Sequence, residues 1–148
     1  GLPYIGYATS SSTPQGVLDQ KTVVLRARGI AVQKIDNQTV NMPANVTLVI
    51  EPIKKPNGTI AFKVVNGTVE VNGATYAISE GKGLVILNRH AIALQARGTG
   101  PDGQTVTLKL VGQYFWMWGH LYVARLKGVL HVDNTALFLL LRAAARVP

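Results

Sequence analysis

The side chains capable of chemistry in this 148-residue chain are few and scattered. His131 and Asp133 stand two residues apart, so a strand places both on one face, and His120 is the third candidate donor for a metal ion. A single His-x-Asp is a weak signal and more often serves structure. The acids Asp19, Asp36, Glu51, Glu70, Glu80, Asp102 and Asp133 are dispersed, and no two of them form an acid/base pair for hydrolysis. Cysteine is absent, which excludes a thiolate metal site, a thiol nucleophile and a disulfide framework. There is no nucleophile elbow, and Gly81-Lys82-Gly83 lacks the spacing of a phosphate-binding loop. These residues predict a protein that is not an enzyme, with no catalytic residue, no metal and no cofactor.

Two other groups of residues have functional weight. Asn37, Asn45, Asn57 and Asn66 each begin an Asn-x-Ser/Thr acceptor for N-linked glycans, crowded into one stretch of the chain, and they predict export to the cell surface. Asn57 and Asn66 also precede Gly, a pair that turns favour for backbone reasons alone. Tyr114, Trp116, Trp118, His120 and Tyr122 recur at every second residue and so share one face of a single extended strand. Flat rings in that arrangement suit stacking on sugars, the centre of a protein interface, or the core beneath a second sheet.

Composition narrows the partners. The formal net charge is +8, yet Lys and Arg are spread singly along the chain, and Lys54-Lys55 is the only adjacent pair. A nucleic-acid binder gathers its cations into a run or onto one face, so no nucleic acid is expected and solvated strand faces are the simpler reading. An acidic partner such as anionic lipid, polysaccharide or nucleic acid is the lesser alternative. No stretch approaches the roughly 20 apolar residues of a membrane-spanning helix; the longest run, residues 136–141, stops at Arg142. The opening Gly1-Leu2-Pro3 without Met is read as a removed leader or a trimmed chain.

The elements that must carry these residues are strands. Over residues 59–79 apolar and polar residues alternate between Asn66-Gly67 and Asn72-Gly73, and Asn-Gly suits the positive φ of tight hairpin turns. Alternation recurs over residues 21–28, 45–53, 91–96 and 105–110, with turn chemistry at Asp36-Asn37, Pro56-Asn57-Gly58 and residues 98–103. Gly29, residues 80–83 and Asn88-Arg89-His90 read as further breaks, and Gly128 as a bulge. Residues 136–146 contain good helix formers but also read as a last strand buried on both faces. About a dozen short strands with frequent turns predict an all-β fold, an antiparallel β-sandwich of jelly-roll type over residues 21–148.

Residues 1–20 differ from the rest. An apolar tip, Leu2-Pro3-Tyr4-Ile5-Gly6-Tyr7, precedes a Ser/Thr/Pro/Gly tract with the composition of a tether, able to reach roughly 40 Å if extended. A strand folded back on its own sheet or a frayed terminus is the alternative. A cysteine-free all-β domain rich in glycan acceptors, with such a tip on such a tether, resembles the secreted subunits of archaeal extracellular filaments. These include bundling pili and threads, similar in design to TasA-like biofilm fibres. The resemblance implies an extracellular homopolymer with N-linked glycans, in which Leu2, Tyr4, Ile5 and Tyr7 form a donor strand completing the sheet of the next subunit. The competing expectation is a cell-surface carbohydrate-binding module using Tyr114, Trp116, Trp118 and Tyr122.

Overall fold

The computed structural model describes residues 22–54 and 57–148. Eight antiparallel strands follow one another around a closed barrel: β1 (Val23–Ile35), β2 (Gln38–Lys54), β3 (Thr59–Val71), β4 (Ala74–Ile86), β5 (Ala91–Thr99), β6 (Thr105–Trp118), β7 (Leu121–Val132) and β8 (Thr135–Arg146). Each strand pairs with its neighbours in sequence, and β8 closes onto β1 from Arg26 against Ala144 to Val32 against Phe138. A 3-10 turn, Leu87–Arg89, links β4 to β5.

The fold is all-β, as the alternation predicts, but the expected jelly-roll sandwich over residues 21–148 is overturned: one sheet closes on itself. The reason lies in the glycines. Asp36-Asn37, Asn72-Gly73 and Asp133 do turn the chain, with positive φ at all five residues. Gly29, Asn66-Gly67 and Gly81 to Gly83, in contrast, lie inside β1, β3 and β4. A Cβ at Gly29 would collide with the carbonyl of Leu140, and one at Gly112 with that of Arg125. By alternation these positions fall in the inward-facing series of their strands, Gly29 opposite buried Leu141 and Gly112 opposite buried Leu126, although Gly29 itself is exposed and Gly112 half-buried. Missing side chains there let strands of 9 to 17 residues curl toward the axis, which is what closure requires. The same glycines, read as breaks, divide eight long strands into a dozen short ones. Gly128 is also a close-approach position, with unbroken register against Leu110, and not a bulge.

β8 forms as a strand despite its helix-forming composition, because Leu137, Leu139, Leu141 and Ala143 face the core in alternation with exposed Phe138, Leu140 and Arg142. The barrel interior is apolar throughout, with no buried polar or charged residue among those described. Leu48, Leu108, Leu110, Leu130 and Leu139 are fully buried along its axis. Every strand carries a charge on its outside: Arg26, Glu51, Lys63, Lys82, Arg97, Lys109, Arg125 and Arg142 in order from β1 to β8. A lipid-spanning barrel would have an apolar exterior instead, since Arg or Lys at bilayer mid-depth costs about 2–4 kcal/mol. No helix is long and apolar enough to cross a membrane among the described residues.

Candidate functional site

The barrel is filled at one end and open at the other. At the open end, where β1 begins and β8 finishes, a cavity of about 640 Å³ is lined by Val23, Leu25, Ile50, Phe62, Val85 and Ile92, among other apolar side chains. Side-chain size along β8 explains it. The inward series is Leu137, Leu139, Leu141, Ala143, Ala145, so leucines plug the far half of the barrel and alanines vacate the near half. Ala124 on β7, paired with Ala143, widens the same region.

Among the described residues, Tyr114 and Tyr122 supply the only polar side chains on the cavity wall. Their rings meet edge to face with centroids 6.0 Å apart, and His90 packs edge-on against Tyr114 at 5.5 Å. The main chain fixes this cluster, since the Tyr114 N–H donates to the His90 carbonyl at 2.9 Å. Burial, and then the neighbouring Tyr122 hydroxyl, push the Tyr114 phenol above its ordinary value of 10.0. Tyr114 therefore stays neutral at physiological pH, able both to donate and to accept a hydrogen bond.

The single aromatic strand face expected from the sequence does not exist. β6 ends at Trp118, Gly119 turns at φ 55, and β7 starts at Leu121, so Tyr122 runs back down the neighbouring strand. Tyr114 and Tyr122 belong to the cavity, whereas Trp116 and Trp118 stand at the hairpin tip with 63% and 61% of their surface exposed. The Trp116 indole N–H donates to the Gly119 carbonyl at 3.0 Å, which holds that ring against the turn. With one sheet only, no second sheet covers any of these rings.

Of the acceptor asparagines, Asn37 and Asn57 occupy the β1–β2 and β2–β3 connections, and Asn45 and Asn66 lie on β2 and β3; all four are exposed. The donor-strand residues Leu2, Tyr4, Ile5 and Tyr7 lie outside the described residues. His120 in the turn before β7 and His131 near its other end stand roughly 35 Å apart along the strand, and no cluster of metal donors occurs among the described residues. The Asp133 carboxylate accepts from the Thr105 N–H at 2.9 Å, a structural use of that side chain.

Two features escape a reading of the sequence alone. One is the cavity, foreshadowed only by the change from Leu to Ala along β8. The other is a row of cations: strand register aligns Arg28 with Arg142 and Arg142 with Arg125 across three adjacent strands, although the three are far apart in the chain. No family model, curated protein or solved structure matches this chain.

Proposed function

We propose that this protein is a binding barrel that holds one small, mainly apolar molecule in its open end. The observation that carries this reading is the 640 Å³ apolar cavity at the mouth of an otherwise filled barrel. Its volume lies within the roughly 300–1,000 Å³ range of small-molecule sites, and apolar walls with few polar groups are the usual composition of such sites. Tyr114 and Tyr122 would orient the polar end of a ligand such as a fatty alcohol or a terpenoid. Burying about 400 Å² of apolar ligand surface contributes about 10 kcal/mol, and an association cost of about 4 kcal/mol or more leaves at most about 6 kcal/mol, a dissociation constant of about 40 μM or weaker.

Titration with N-phenyl-1-naphthylamine, an uncharged probe that brightens in apolar surroundings, tests this. One saturable site per chain is expected, lost in Ala145→Trp, whose indole would fill the mouth from β8. Absence of saturable binding by full-length protein and by protein lacking residues 1–16 would refute the reading.

A second reading is favoured by one observation. Val23 and Leu25 line the cavity, so β1 begins at its rim. Every strand is paired on both sides, which leaves no whole edge strand for an arm to extend. The mouth is then the acceptor for an apolar tip, and the extracellular filament joins subunits by Leu2, Tyr4, Ile5 and Tyr7 entering a neighbour's cavity. Electron microscopy discriminates: filaments from the full chain, and none after removal of residues 1–16, support it, while monomers from both exclude it. Extracellular location and glycosylation at Asn37, Asn45, Asn57 or Asn66 belong to this reading. An intact mass of native material equal to the bare polypeptide would remove their basis.

A further inference from the structure

The cations of this barrel are not evenly distributed. β1, β6, β7 and β8 are contiguous around the barrel and contain no Asp or Glu. They carry Arg26, Arg28 and Lys34 on β1, Lys109 on β6, Arg125 and Lys127 on β7, and Arg142 and Arg146 on β8. The strands β2 to β5 hold Glu51, Glu70 and Glu80, the last ion-paired to Arg97. Among the described residues the strands of the β6–β7–β8–β1 half therefore carry cations only, and Asp133 stands apart in the β7–β8 turn at the far end. Within that half Arg28, Arg142 and Arg125 are direct cross-strand partners, which sets the backbone positions of three arginines within a span of roughly 10 Å. Like charges directly opposite each other destabilise a sheet, so the row creates a strong positive field that favours a polyanionic surface.

The ground beside this row is apolar. An open groove is walled by Phe115, Met117 and Val123 on the mouth side and by Ile30, Val111 and Leu140 on the other. Beyond Phe115 the β6–β7 hairpin ends in Trp116, Met117 and Trp118, all exposed. Solvated Trp and Met at a projecting tip, with arginines roughly 10–15 Å behind along the strands, is the vertical order of a membrane surface: hydrocarbon boundary first, headgroups next. Arg stems reach toward the interface while their charges stay in the headgroup layer.

We infer that the β6–β7 tip and the Arg28–Arg142–Arg125 row dock this barrel onto an anionic lipid surface, with the tip entering the headgroup layer and the arginines meeting lipid phosphates. A nucleic acid or acidic polysaccharide would use the cations but would gain nothing from immersing Met117 and two Trp rings. Docked in this way, the barrel presents its open end to the lipid, because tip and mouth occupy the same end. The inference rests on the outer surface and not on the cavity, so failure of ligand binding leaves it intact, and its own failure leaves ligand binding intact.

Trp116 and Trp118 are the only tryptophans in the chain, so intrinsic fluorescence reports on the tip without a label. Full-length protein is mixed with vesicles of pure phosphatidylcholine and with vesicles of equimolar phosphatidylcholine and phosphatidylglycerol. A blue shift and co-flotation with the anionic vesicles alone, weakened by added salt, is the expected result. Each surface Arg near anionic lipid is worth about fivefold in binding, so R125Q/R142Q should bind about 30-fold more weakly. W116A/W118A should fail to float although its circular dichroism is unchanged. Equal binding to both vesicle types, or undiminished binding by either double variant, would overturn the inference. So would retention on heparin or single-stranded DNA with no flotation on anionic vesicles, which would assign the face to a soluble polyanion.

Discussion

A barrel packed at one end and hollow at the other should answer the same truncation differently at its two ends. Leu108 is completely buried on β6 in the filled half, and Ile92 lies half-buried on β5 against the cavity. Leu108→Ala removes the burial of three carbon groups, about 2.4 kcal/mol, and leaves a void that close neighbours cannot close, for a total of about 3–4 kcal/mol. Ile92→Ala removes a similar group beside space that is already open, so no new void is created and the cost is about 1 kcal/mol. Urea unfolding with an unchanged m-value measures both. In thermal melts the differences correspond to losses of about 7–15 °C and about 2–4 °C for a domain of this size. Equal costs within about 0.5 kcal/mol would mean that the mouth is packed as closely as the floor, and would refute the cavity on which the ligand reading depends.

Other expectations follow from backbone and titration. Gly29→Ala should destabilise by about 3 kcal/mol or more, because its Cβ meets the Leu140 carbonyl at the closure seam. Gly73→Ala should cost only about 1 kcal/mol, since φ 88 is strained for alanine but nothing lies within 4 Å of the added carbon; the reverse order in thermal melts would contradict this account of closure. The Tyr114 phenol has its pKa raised in the folded state, so its contribution to stability is complete below the unfolded value of 10.0 and is lost as pH rises above it. Unfolding free energy should therefore fall on the alkaline side, and Tyr114→Phe should lessen that fall; an unaltered slope would show that Tyr114 is not the group responsible.

How much of this was legible in the sequence varies by kind of signal. Val23, Leu25 and Ala27, or Val106, Leu108 and Leu110, face inward because residues two apart share a face, a rule that needs no knowledge of partners. Asn72-Gly73 turns because both residues adopt positive φ, again a local property. Gly29 and Gly112 carry no local mark distinguishing a turn from a close approach, since the carbonyl that excludes a side chain there belongs to another strand. That ambiguity turned a closed barrel into an expected sandwich. The same limit hid the arginine row, because Arg28, Arg125 and Arg142 become neighbours only through register. It also merged two strands into one aromatic face, where Gly119 is the hairpin turn between them. The cavity left a local trace, the passage from Leu141 to Ala143 and Ala145 on β8, whose meaning depends on knowing that all three point into one barrel.

The central claim is that an apolar molecule occupies the open end. Methyl-resolved NMR of the full chain, labelled at Ile, Leu and Val and titrated with dodecanol, tests it most directly. The account predicts saturable shifts at Val23, Leu25, Ile50, Val85 and Ile92 around the cavity, with Leu108, Leu130 and Leu139 in the filled half unmoved. Shifts confined to outer residues such as Ile30, Val111 and Leu140, or none up to the solubility limit of the alcohol, would contradict it.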